Sequence, residues 1–193
     1  MNCSPRIIKE TSSGLFLYHI QDEMLRCREV ECVGEINSES VYAISRQLRY
    51  LQSQDPEEEI TLYINSPGGE VSSGLALYDV MKGISCPIRC VCIGSAASMG
   101  AVLFAAGDRR DILPHGRIMI HDPLIAGGVG GSALKLQDIS RNLMKTREAL
   151  CGILAKHTGK RLEEIYEKTA KDSWFDAEEA VSFGLADRII QTI

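Results

Sequence analysis

No apolar stretch in this 193-residue chain approaches the roughly 18 to 20 residues that a membrane-spanning helix requires. The opening residues, MNCSPRIIKETSSG, lack the apolar centre of a secretory signal, so the expected location is the cytoplasm. No run of basic residues occurs, and 21 Lys and Arg against 26 Asp and Glu leave a net charge of -5, which argues against a nucleic-acid partner. The seven cysteines, at 3, 27, 32, 86, 90, 92 and 151, contain no C-x-x-C pair and sit in a chain too large to need staples, so they read as free thiols. Cys90 and Cys92, two residues apart in an apolar run, read as one buried face of a strand rather than as metal ligands. No metal site is expected.

What is present is the balance of an ordinary globular protein, 45% hydrophobic and 24% charged residues, long enough for one sizeable core. A single domain spanning 1–193 follows. Val41, Ile44, Leu48 and Leu51 recur at helical spacing behind Asn37 and Ser38, either of which can cap, and predict an amphipathic helix over 37–52. EEITLYIN (58–65) then reads as a buried strand that stops at the turn Ser66-Pro67-Gly68-Gly69, with a helix over 72–82 after it. The pattern repeats. PIRCVCIG (87–94) is a strand, SAAS a small-residue turn, MGAVLFAA a helix closed by Gly107, and RIMIH (117–121) a third strand.

Beyond the glycine-rich 127–131, a long helical pattern covers 132–157 and halts at Gly159; a short helix near 161–168 and one opened by the capping box Asp176 to Glu179 complete the chain. Strands alternating with helices predict an α/β fold with a mainly parallel sheet, whose chemistry gathers at the carboxyl ends of the strands. Ser66 to Gly69, Ser98 and His121 all fall there.

Acyl transfer at neutral pH needs a nucleophile, a base beside it, a group orienting the base and donors for an oxyanion. Ser98 lies among small residues just before a helix, a position that suits a nucleophile but also a plain helix cap. His121 ends a buried strand, whereas His19, His115 and His157 lie in the N-terminal segment, beside a proline and at a helix end. A histidine so placed can equally be structural. Asp172 is one acid among many, and residue type alone leaves it a solvated loop residue. The glycine pair Gly68-Gly69 can end a strand or present a backbone amide to an oxyanion.

Four motifs in order, INSPGG (64–69), GSAASMG (94–100), RIMIH (117–121) and AEEA followed by FGLAD (177–187), together resemble the proteolytic subunits of the Clp protease family across nearly the whole chain. The resemblance implies a crotonase-like fold of strand-turn-helix units with an N-terminal axial segment (1–20) and a protruding handle (122–158). It implies a serine endopeptidase with Ser98 as nucleophile, His121 as base and Asp172, just before Ser173-Trp174-Phe175, as the orienting acid. The backbone amides of Gly69 and Met99 would hold the oxyanion. Such subunits need no cofactor of their own. Two stacked heptameric rings enclose the sites, and an AAA+ unfoldase of the ClpX, ClpA or ClpC type spends ATP to thread unfolded proteins inward from clefts to which Tyr63 contributes.

The chain departs from that pattern at several positions. Ser95 and Asp122 stand where glutamines are usual, the loop before RIMIH is shorter, the glycine-rich stretch after His121 is longer, and the N-terminal segment SSGLFLYH is more apolar. Ala170-Lys171 replaces an Asp-Arg pair that links neighbouring subunits. Two other functions share parts of the pattern: a weakly active or structural paralogue completing a mixed ring, and a crotonase-type acyl-CoA enzyme with a two-amide oxyanion hole. A related membrane signal-peptide peptidase would use a lysine base and an anchor, neither of which is evident.

Overall fold

The computed structural model describes residues 6–193; Cys3 and the start of the expected axial segment lie outside the described residues. An antiparallel hairpin, β1 (Arg6–Thr11) and β2 (Gly14–His19), leads into a short helix α1 (Ile20–Arg26). The body follows as β3 (Glu29–Ile36), α2 (Ser38–Gln54), β4 (Ile60–Gly69), α3 (Val71–Gly83), β5 (Ile88–Ala97), α4 (Met99–Ala105), β6 (Arg109–Ile112) and β7 (Arg117–Ile120). It closes with α5 (Ala133–Thr158), α6 (Leu162–Thr169), β8 (Ser173–Phe175), α7 (Ala177–Phe183) and β9 (Arg188–Ile189). This is a mixed α/β architecture built on a parallel sheet, as the sequence pattern predicts.

The sheet runs β3-β4-β5-β6-β9, with β7 and β8 branching from β5. Only β7 with β8 pairs antiparallel. The branching has a simple origin: residues 89–92 of β5 pair with β6, while Ser95 to Ala97 pair with β7. The far end of β5, which carries the small residues, is thereby fixed from a second side. β4 and β5 both outrun the expected strand ends, because a register shift between Ile64 and Ser66 lets the ladder resume. Gly68 and Gly69, read from the sequence as a turn, lie in β4 opposite Glu35 and Ile36. Their φ angles of 98° and 152° are open to glycine and strained for other residues, so the glycine pair keeps the strand going where a side chain would stop it.

The predicted α2 face, Val41, Ile44, Leu48 and Leu51, is buried, and Asn37 caps the helix by accepting from the amides of Glu39 and Ser40. α4 is buried along its whole length, which explains why its sequence contains no polar residue. Cys90 and Cys92 both face the core, and the six described cysteines form no disulfide. α5 behaves differently along its length: only Leu150, Cys151 and Leu154 are buried, all in its last third. Its first turns stand clear of the body, with Leu134, Leu136 and Met144 exposed.

The hairpin, β6 and β9 had no counterpart in the sequence reading. β6 (RRDI) survives as a strand because Asp111, fully buried, accepts from Arg89 Nε at 2.6 Å and Arg188 Nε at 2.7 Å. Burial alone would raise its carboxyl pKa, but hydrogen bonds from Arg188 and Arg89 outweigh it and hold the group below its ordinary value.

Candidate active site

Ser98 sits between β5 and α4 with φ 55° and ψ -121°, a left-handed conformation that a serine adopts only under constraint. Two constraints are visible. Its amide donates to Met119 O at 2.8 Å, tying it to β7, and a β-carbon placed on Gly68 would lie 2.6 Å from Ser98 Cβ, so β4 presses its bare backbone against the turn. The side chain is pushed outward, toward the end of β7.

His121 follows β7 directly, and its Nε2 lies 2.8 Å from Ser98 Oγ. With the ring proton on Nδ1, Nε2 accepts the serine hydroxyl. Asp172 is brought up by β8, since Ser173 pairs with Ile120 and so sets the preceding residue beside the histidine. Its Oδ1 is 3.7 Å from His121 Nδ1, and its side chain is 69% exposed. That separation is an ion-pair approach and not a hydrogen bond. Asp172 opens on its other side to a groove of about 680 Å³ lined by Lys168, Lys171 and Trp174.

The two residues with candidate oxyanion amides border the same place. Gly69 pairs with Ile36 at the end of β4, and Met99 begins α4 immediately after Ser98. The amide of Gly68 is engaged by Ser66 Oγ at 3.1 Å, and that hydroxyl donates in turn to Gly34 O at 2.6 Å. Ser66 is therefore fully buried, with its hydroxyl committed to backbone, and offers no rival nucleophile.

A groove of about 850 Å³ passes over Ser98 and His121, walled by Asn37, Pro67, Gly69 and Leu124. Beneath it a small apolar recess of about 20 Å³ is lined by Val71, Val102, Ile120, Leu150 and Leu154. The groove is open above Ser98 and His121, and the recess, about the size of one water, is too small for a side chain as it stands.

Ser98 and His121 are thus in contact and Asp172 lies 3.7 Å from the ring, while the residues that support them are not legible in the sequence. Asp122 was noticed only as a departure; the structure pairs its Oδ2 with Arg147 Nε at 2.6 Å. His157 also proves unusual, donating to or accepting from Tyr78 Oη at 3.1 Å, and burial with nearby Lys82, Lys156 and Arg110 pushes its pKa down to about 4. It is a half-buried imidazole at the end of α5 and does not line the groove. Tyr63 is 8% exposed, with its hydroxyl donating to Glu29 Oε1 at 3.3 Å. Among the described residues no helix is long and apolar enough to cross a membrane, and no group of His, Cys, Asp and Glu could hold a metal ion. In comparison with known families, the Clp protease model matches residues 12–193.

Proposed function

Because the chain belongs to the Clp protease family, we propose that it is a serine endopeptidase that cleaves unfolded proteins by acyl-enzyme chemistry. The observation that carries this reading is the 2.8 Å approach of His121 Nε2 to Ser98 Oγ, with the serine held at φ 55° at a strand-to-helix turn. As Ser98 Oγ attacks the scissile carbonyl carbon, its proton passes to His121 Nε2, and Asp172 stabilises the imidazolium from the Nδ1 side. The carbonyl oxygen gathers negative charge against the amides of Gly69 and Met99. Collapse of the tetrahedral intermediate expels the amine, which leaves with the proton from Nε2. Water then enters, gives a proton to the same nitrogen and attacks the acyl carbon; as the bond from that carbon to Ser98 Oγ breaks, Nε2 returns the proton to Oγ and the carboxylic acid product leaves.

No cofactor enters these steps. ATP belongs to the partner, an AAA+ unfoldase of the ClpX, ClpA or ClpC type that feeds unfolded chains to sites enclosed by stacked heptameric rings in the cytoplasm. One observation favours a second reading for the isolated chain. Asp172 stands 3.7 Å from the base and mostly in solvent, so a neighbouring subunit, a copy or a paralogue in a mixed ring, completes the triad by pressing it inward. A crotonase-type acyl-CoA activity has no need of the Ser98 to His121 contact.

The test is Ser98→Ala with a fluorogenic peptide and a fluorophosphonate probe. Loss of cleavage by at least about a thousandfold, with labelling of Ser98 in the unsubstituted protein, is expected. Activity of the variant within tenfold of the parent, or probe on another serine, would overturn the assignment.

A further inference from the structure

The His121 and Asp172 side chains are carried by different parts of the chain, and Asp122, the residue after His121, is tied to the helix that leads to Asp172. The Asp122 amide donates to Thr169 O at 2.7 Å, and its Oδ2 accepts from Arg147 Nε at 2.6 Å. Arg147 belongs to α5, yet its guanidinium lies 4.2 Å from the centre of the Tyr166 ring and its Nη2 approaches Tyr166 O at 3.5 Å. Tyr166 and Thr169 are on α6, the helix that leads through Ala170 and Lys171 to Asp172.

Building on the peptidase reading, we propose that Asp122 and Arg147 are a positioning pair that sets the distance between base and acid by clamping the residue after His121 to the helix that delivers Asp172. Three features support this over a merely structural pair. First, Asp122 Oδ1 is buried without a hydrogen-bond partner, a cost that a residue selected only for stability would avoid. Second, Arg147 engages Asp122 and the ring and carbonyl of Tyr166 together, a planar forked geometry that lysine cannot reproduce. Third, the side chains of Ala170-Lys171 supply no anchor: Lys171 makes no ion pair among the described residues, and Ala170 bonds through its amide, to Tyr166 O at 3.1 Å. The acid is held instead by brackets on both sides, Thr169 through Asp122 and Ser173 through Ile120, with Ser173 Oγ donating to Lys168 O at 2.7 Å. The departure at 122 and the departure at 170–171 thus meet in one arrangement: an intrachain clamp sets the backbone that carries the acid, and the Asp172 side chain, 3.7 Å from the ring, is left for a neighbouring subunit to press inward.

Asp122→Asn, Arg147→Met and their combination test this in the full chain, assayed with a short peptide and native mass measurement. Each single change is expected to lower kcat about ten to a hundredfold at unchanged KM, because misplacing a catalytic group by about an ångström has that effect. The double change should be no worse than the worse single, since both remove one linkage. Arg147→Lys, which keeps the charge and loses the fork, should also fall in kcat, and it decides the matter should the other variants fail to fold. Singles within twofold of the parent, or effects that multiply in the double, would overturn the pair's role. A parent that neither cleaves peptide nor takes probe would instead break the peptidase reading. The clamp is then judged by the 15N resonances of His121 in histidine-labelled protein, where unchanged ring-nitrogen shifts in Asp122→Asn would reject it and a shifted tautomer population would uphold it.

Discussion

Gly68 contributes nothing but backbone to the groove, and that is its use. At φ 98°, with an added β-carbon 2.6 Å from Ser98 Cβ and 2.8 Å from Ala97 O, even alanine must push the serine turn away. Gly68→Ala should therefore lower kcat/KM by about a hundredfold and slow fluorophosphonate labelling in proportion; labelling at the parent's rate would show that the turn tolerates the displacement. At this scale the sequence was partly legible. His121 closes an apolar strand and Ser98 lies in the small-residue turn after one, and strand ends of a parallel sheet are where groups converge. Asp172 carried no such mark, since its place depends on β8 pairing with β7 across some fifty intervening residues. Arg147 was invisible for a similar reason: it serves Asp122 from a helix whose pattern advertises only its apolar face.

Among the elements, the joint between α1, α2 and β4 depends on one guanidinium. Arg28, only 7% exposed at φ 61°, donates to the carbonyls of Leu51, Asp55, Glu58 and Glu59 and to Cys86 Sγ. One of these is Leu51 O in the last turn of α2, which also accepts from the Asp55 amide at 3.1 Å, and the other carbonyls lie in the connection from α2 to β4. Arg28→Met should destabilise the fold by about 3 kcal/mol, since several buried acceptors lose their donor at once, and urea unfolding would read the change; a midpoint equal to the parent's would show that water replaces the arginine. Helices with a long apolar period, α2 and α5, were readable to within a residue or two. β6 and β9 were not. They are two to four residues long and rich in arginine, and they hold as strands through the buried Asp111 they share rather than through any alternation of apolar side chains.

At the scale of the whole molecule, assembly remains the property least readable from one chain, because the apolar residues exposed on α5 and the hairpin show a surface without naming what meets it. The isolated protein is expected to cut short peptides slowly, and folded proteins only with an ATP-consuming unfoldase; rapid digestion of a stable folded protein by the chain alone would contradict this. Replacing Ala170→Asp together with Lys171→Arg should raise the peptidase rate and the fraction of assembled ring in native mass spectra, as a bidentate contact between subunits is restored. A parent that is already a fully active double ring would make that exchange irrelevant. The antiparallel pairing of Ser173 with Ile120 joins residues that are synthesised at different times. Ribosomes add about 5 to 20 residues each second, so Asp172 and the strand that follows it emerge several seconds after His121. On the peptidase reading, the nascent chain holds Ser98 and His121 without Asp172 throughout that interval, and translation itself would delay the moment at which a new copy could cut its neighbours.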